Sequence, residues 1–149
     1  MQLKTNINGR PVVLDFVPGE FLATTLRRYG YLSVKEGCNT GSCGLCTVWL
    51  DGKPILSCST LTARTLDREI TTIEALQKEA EEFGRFMVEE GAEQCGYCAP
   101  GFVMTVLAMR RELETPTEDD IRHYLAGNLC RCSGYKGQLR AIKKYMGVE

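Results

Sequence analysis

The chemistry-bearing residues in this 149-residue sequence are its 8 cysteines, and they fall into two sets of four. The first set is Cys38, Cys43, Cys46 and Cys58, spaced C-x4-C-x2-C with the last Cys after a gap of eleven residues. The second is Cys95, Cys98, Cys130 and Cys132, which reads C-x2-C, a gap of 31 residues, then C-x-C. C-x4-C-x2-C is the plant-type ferredoxin spacing for a 2Fe–2S cluster. Gly37, Gly41 and Gly44 are expected to take positive φ and wrap the backbone closely around an inorganic core. Small Asn39 and Ser42 leave backbone N–H groups free to point at sulfur, where their dipoles stabilise a negative cluster. In the second set, Cys98 precedes Pro100-Gly101 and a long apolar stretch, while Cys130 and Cys132 lie between two expected helices. Helix N-termini favour thiolate charge, so the helix ends are expected to clamp the second set.

Other uses of eight cysteines fit less well. The N-terminus lacks a basic stretch followed by an apolar core and a small-residue cleavage site. The Arg27-Arg28 and Arg110-Arg111 pairs are internal, so no twin-arginine signal is read either. The expected compartment is the cytoplasm, where disulfides are rare. Zinc at both sets remains an alternative, but C-x-C is tighter than the usual C-x2-4-C of a zinc knuckle. A redox C-x-x-C at Cys95/Cys98 would leave Cys130 and Cys132 unexplained and has no βαβ context. Two iron–sulfur clusters are the preferred reading.

Composition narrows the class. Lys plus Arg is 18 and Asp plus Glu is 19, a net charge of −1. A nucleic-acid binder would need a basic surface, and no apolar run is long enough to span a bilayer. No GxGxxG follows a strand and no G-x4-G-K-[ST] is present, so no nucleotide site is read. The single histidine, His123, is given no role, and no catalytic residue is assigned.

The elements that must position the cysteines are α+β. Leu3–Ile7 and Val12–Phe16 are read as strands around Asn8-Gly9, and Thr47–Leu50 and Pro54–Leu56 as strands around Asp51-Gly52. Phe21–Tyr29 is read as a helix with Leu22, Leu26 and Tyr29 on one face, and Glu69–Thr72 as a further strand. Beyond about Ile73 the period becomes helical. Glu79–Glu90, an almost wholly apolar Pro100–Leu113, a helix opened by a Thr117/Asp120 capping box, and Gly137–Met146 make a small helical bundle. The boundary is placed within 60–74.

At the cysteine motifs the sequence resembles a known family. Lys35-Glu36-Gly37-Cys38 through Cys46-Thr47-Val48, then Gln94-Cys95-Gly96-Tyr97-Cys98-Ala99-Pro100-Gly101, then Gly127-Asn128-Leu129-Cys130-Arg131-Cys132-Ser133-Gly134-Tyr135, are similar to the small iron–sulfur subunit of the xanthine oxidase (molybdenum hydroxylase) family. Ala99 and Ser133 stand where Thr is usual, and both leave the ligands intact. The resemblance implies an N-terminal ferredoxin-like (β-grasp) 2Fe–2S domain over 1–73 and a C-terminal four-helix-bundle 2Fe–2S domain over 74–149. It implies Cys38, Cys43, Cys46 and Cys58 as ligands of the cluster nearer flavin, and Cys95, Cys98, Cys130 and Cys132 as ligands of the cluster nearer molybdenum. Gln94 and Cys132 are implied to approach the pterin.

The implied partners are a large molybdopterin-binding subunit and a medium FAD-binding subunit, in a heterotrimer or its dimer. The expected function is electron relay from the molybdenum centre through two clusters to FAD or another acceptor, with purine or xanthine oxidation the default activity. A free-standing ferredoxin-type carrier is the alternative. Seven Glu lie from Glu74 to Glu93, and Lys136, Arg140, Lys143 and Lys144 lie near the C-terminus. These read mainly as solvated helix faces. A sharper expectation is that Tyr135, Lys136 and the last helix dock on the large subunit, with Arg131 offsetting cluster charge or facing the cofactor subunit.

Overall fold

Both Gly-containing turns form the hairpins their sequences call for. In the computed structural model, which describes residues 1–148, β1 (Gln2–Ile7) pairs antiparallel with β2 (Arg10–Asp15), Leu3 facing Leu14. Asn8 and Gly9 both have positive φ, 55° and 74°. The two-residue turn that matches strand twist requires this. Around Asp51 and Gly52, with φ of 50° and 79°, β3 (Thr47–Leu50) pairs with β4 (Lys53–Leu56). β5 (Glu69–Thr71) joins the hairpins, parallel to β1 and antiparallel to β3. The result is a mixed five-stranded sheet of order β2-β1-β5-β3-β4.

Helix α1 (Leu22–Arg28) lays Leu22 and Leu26, both fully buried, on one sheet face with Ile7, Leu14, Val48 and Ile70. Tyr29 departs from the expected stripe. It caps the helix at its C-terminus, is 39% exposed, and its hydroxyl accepts the Asp15 N–H at 2.6 Å. The other sheet face is covered by helices. All four residues of β3 are buried because alternate side chains of a strand point to opposite faces. Val48 and Leu50 face α1, while Trp49 belongs to the helical core.

That core is built from α2 (Gln77–Glu89), α3 (Ala99–Glu112), α4 (Glu118–Tyr124) and α5 (Lys136–Met146). Helix α3 is the central one, with Phe102 and every residue from Met104 to Met109 buried. The Phe83 ring of α2 lies 5.1 Å from Tyr145 of α5 and 6.0 Å from Phe102 of α3. The Thr117/Asp120 capping box opens α4 in both directions. The molecule is thus α+β, with a mixed sheet and five helices.

Three short 3-10 turns, Ser57–Ser59, Thr62–Thr65 and Ile73–Ala75, went unread in the sequence. The Thr run resembles a polar loop, yet Thr62 and Thr65 are fully buried. Their hydroxyls are satisfied internally, Thr62 with Thr25 at 2.8 Å and Thr65 with the Thr62 carbonyl at 2.8 Å.

Trp49 ties the sheet to the helices. Its indole N–H donates to the Met104 carbonyl at 3.0 Å, and the Arg111 guanidinium lies 4.2 Å from its ring centroid. Trp49→Phe is expected to cost about 1–2 kcal/mol, through the lost buried hydrogen bond and a partial cavity. Denaturant midpoints of the two proteins check this.

Candidate metal centres

The first cysteine set sits on the loop between α1 and β3, closed by Cys58 in the 3-10 turn after β4. Cys43 and Cys46 form its buried inner part, while Cys38 and Cys58 are half-buried. Backbone N–H groups act on Cys38 as the glycine-rich loop promised. Those of Thr40, Ser42 and Cys43, with the Cys43 thiol, bring its thiol down to about 5. Burial pushes Cys43 up, and pushes Cys46 to about 11 with the Cys58 thiol adding to it. Gly41 and Gly44 take positive φ, 67° and 71°. Gly37 does not. A Cβ there would lie 2.7 Å from Leu45 Cδ2, so the Leu45 side chain would have to shift.

The second set gathers around the start of α3. Cys98 is its N-cap residue, and Cys132 Sγ approaches Cys95 Sγ to 3.5 Å. Cys98 and Cys130 are half-buried, whereas Cys95 and Cys132 are exposed. Burial, with the Cys130 thiol adding, pushes Cys98 up to about 12. Burial also acts on Cys130, but hydrogen bonds from Ser133 and the Cys132 N–H outweigh it and lower this thiol. The Cys132 thiol is raised, chiefly by its hydrogen bond with Cys95. The Cys130–Tyr135 loop is tied back on itself. Ser133 N–H donates to Cys130 Sγ at 3.4 Å, and the Cys130 N–H donates to the Tyr135 hydroxyl at 3.1 Å. Tyr135 pays for that bond with a left-handed backbone, φ 68°, which costs a non-glycine residue roughly 1–3 kcal/mol. Gln94 lies beside the set, its amide donating to the Cys132 carbonyl at 3.1 Å.

The two sets meet through backbone. Leu129 N–H, one residue before Cys130, donates to the Cys43 carbonyl at 2.9 Å. Close approach of the chains makes this possible. A Cβ on Gly101 would lie 2.3 Å from the Gly44 carbonyl oxygen, and one on Gly44 2.5 Å from that of Gly127. Tyr97 adds a clamp, its hydroxyl donating to the Glu36 carbonyl at 2.9 Å. A cavity of about 490 Å³ is lined by Cys38 and Cys43 together with Cys95, Cys98, Cys130 and Cys132.

The thiols are arranged in pairs: Cys38 with Cys43, Cys46 with Cys58, Cys98 with Cys130, and Cys95 with Cys132. Among the described residues no three His, Cys, Asp or Glu side chains converge to hold a single metal ion. A 2Fe–2S cluster takes four thiolates, two on each iron. The all-thiol donor sets, their pairing, and N–H groups aimed at Cys38 and Cys130 fit that group.

The charged residues near the C-terminus are mostly paired within the chain. Glu90 at the end of α2 binds Arg140 at 2.6 Å and also Lys144, both on α5, and Lys143 bonds Glu118 at 3.0 Å. Arg140 and Lys144 therefore join α2 to α5 rather than standing free for a partner. Their cations hold the Glu90 carboxyl below its ordinary value of 4.5. A depressed carboxyl pKa stabilises the fold above the unfolded value, and the contribution is lost as pH falls through the folded one. Glu90→Gln is expected to lower Tm at pH 7, and the gap to wild type should close as the pH drops below about 4.5. Thermal unfolding across that range checks it.

The comparisons with known proteins bear on these centres. A family described as 2Fe-2S iron-sulfur cluster binding domain matches residues 22–90, and one described as 2Fe-2S binding domain matches residues 72–143. The xanthine dehydrogenase iron-sulfur-binding subunit of Escherichia coli O157:H7 is 45% identical over 138 residues, covering 90% of this chain and 87% of the relative. The chain belongs to the xanthine oxidase (molybdenum hydroxylase) family, as a small iron–sulfur subunit. It is an electron-transfer component of a molybdenum-dependent oxidoreductase. The nicotinate dehydrogenase small FeS subunit of Eubacterium barkeri is 37% identical, covering 89% of this chain and 87% of its own. Among solved structures, quinoline 2-oxidoreductase of Pseudomonas putida 86 superposes with a TM-score of 0.87 at 36% identity, over 95% of this chain and 90% of that one. The aldehyde oxidoreductase of Desulfovibrio desulfuricans gives 0.88 at 33% identity, over 98% of this chain but 17% of that one.

Two site features had no readable sequence signal: the Leu129–Cys43 hydrogen bond and the Gly101–Gly44 approach. Gly101 directly follows Pro100 and reads as part of a helix start. His123 is exposed on α4. No helix among the described residues is long and apolar enough to cross a membrane.

Proposed function

We propose that Cys38, Cys43, Cys46 and Cys58 hold one 2Fe–2S cluster and that Cys95, Cys98, Cys130 and Cys132 hold a second. The first belongs to a ferredoxin-like, β-grasp domain over 1–73, the second to a four-helix-bundle domain over 74–149. Two separate hydrophobic clusters, one under α1 and one among the helices, support this division. A bound 2Fe–2S cluster supplies a one-electron store. The chain's own residues supply its spacing, its polarity and its shielding. The observation that carries the reading is the Leu129 N–H to Cys43 carbonyl hydrogen bond, which joins the two ligand loops at 2.9 Å. Each set also combines two more buried thiols, Cys43 and Cys46 or Cys98 and Cys130, with two more exposed ones, which suits a relay with two ports.

The port at Cys95 and Cys132 faces the molybdopterin-binding large subunit, with Gln94 and Cys132 approaching the pterin. Their exposure and their mutual hydrogen bond support this assignment. Cys38 and Cys58 line a second cavity of about 770 Å³, beside Phe21, and this port serves the FAD-binding medium subunit. The assembly is a heterotrimer or its dimer in the cytoplasm. Purine or xanthine oxidation is the proposed activity of the complex, supported by the relatives named for xanthine dehydrogenase in Escherichia coli O157:H7 and Bacillus subtilis.

Native purification tests the assembly. Co-purification with a molybdenum-containing polypeptide and a flavoprotein, and loss of xanthine-dependent reduction when they are removed, is the expected result. A lone 16.6 kDa iron–sulfur protein would instead be a free-standing carrier.

A further inference from the structure

Helix α5 carries one buried polar residue that the relay leaves unexplained. Gln138, Ala141, Ile142 and Tyr145 fall at i, i+3, i+4 and i+7, the inward stripe of an amphipathic helix. Three of the four are core residues, and the fourth is a glutamine only 4% exposed. A buried carboxamide is costly unless it is hydrogen-bonded. Among the described residues no hydrogen bond engages the Gln138 side chain. Yet every side-chain N or O atom fully shut off from solvent has a partner there. Gln138 lines two small cavities beside the second cysteine set. One is bounded by Cys95, Cys98, Cys130 and Cys132, and the other by Cys98, Cys130 and Cys43.

We propose that Gln138 donates a carboxamide N–H to a sulfur of the second 2Fe–2S cluster and holds its potential above the value an apolar residue would give. The proposal rests on the ligand assignment above. Sulfur in and around such a cluster is an acceptor, and of the two ends of a carboxamide only the NH₂ can donate to it. The reduced cluster carries one more negative charge than the oxidised one, so a fixed donor stabilises it more and reduction becomes easier. The electron that reduces the cluster arrives without a proton, and Gln138 stays neutral throughout. Its place on the wall shared by the second set and Cys43 puts this tuning on the inner side of the second centre.

The test is a redox titration of the native complex followed by electron paramagnetic resonance, on wild type, Gln138→Leu and Gln138→Met. Both substitutions keep roughly the volume and remove the donor. Expected are two signals in every protein, with full iron and acid-labile sulfide. In both variants the midpoint of one signal moves to a more negative potential, its g-values shift, and the other signal stays unchanged. Unaltered midpoints with full clusters would overturn the proposal. So would loss of the second cluster from both variants, since the amide would then serve assembly rather than potential. A wild-type protein with only one 2Fe–2S signal would instead sink the ligand assignment itself, and it is told apart because it needs no variant.

Discussion

Cys98→Ala is expected to remove half of the iron and one of two electron paramagnetic resonance signals, leaving the sheet and the first centre in place. Cys98 is the half-buried N-cap residue at the start of α3, and its thiol lies beside Cys130. Alanine, unlike serine, offers iron no replacement ligand. The three remaining thiols cannot complete the second iron, so the second cluster is lost, and metal lost from such a site is lost stabilisation. The first set draws its ligands from the α1–β3 loop and Cys58, and its core under α1 is separate. The reciprocal variant Cys46→Ala should remove the other signal. Iron and sulfide analysis with resonance spectra checks both. Loss of all iron from either variant would show that the two centres assemble as one unit.

Gly101→Ala is expected to destabilise the protein by about 3 kcal/mol, the upper range for overpacking. The added Cβ would lie 2.3 Å from the Gly44 oxygen and 2.8 Å from the Leu45 oxygen. Both are backbone atoms of the first ligand loop, so no side chain can swing away to relieve the clash. The loop must move off α3, and the nearby Leu129–Cys43 hydrogen bond lengthens or breaks. Electron exchange between the two centres should therefore slow along with the fall in stability. Gly84→Ala is the control, because it lies inside α2 with nothing within 4 Å of its Cβ position. It is expected to stabilise by roughly 0.5–1 kcal/mol through helix propensity. Urea midpoints and flash-initiated electron-transfer rates separate the two effects.

Much of the site was legible because its signals are local. The C-x4-C-x2-C spacing, the Asn-Gly and Asp-Gly turns, the apolar run of α3 and the Thr117/Asp120 box each depend on a few consecutive residues. The resemblance to the family rests on the same short motifs. What stayed hidden depends on residues far apart in sequence. Gly37 packs against the Leu45 side chain without adopting positive φ, and this shows only once the loop is closed. Tyr29 leaves the expected stripe because Asp15 claims its hydroxyl. Trp49 serves the helical core while its neighbours serve the other sheet face. Arg140 and Lys144, read as surface charge, join two helices through Glu90. Gln138 gave no signal at all, since a glutamine at a helix start is unremarkable until its burial is known.

The central claim is that this chain holds two separate 2Fe–2S centres, one in each cysteine set. Electron paramagnetic resonance of the dithionite-reduced protein, with iron and acid-labile sulfide counted on the same sample, tests it most directly. The account predicts two distinguishable 2Fe–2S signals of equal intensity and equal amounts of iron and sulfide. A single signal, or a colourless protein carrying zinc in place of iron, would contradict it.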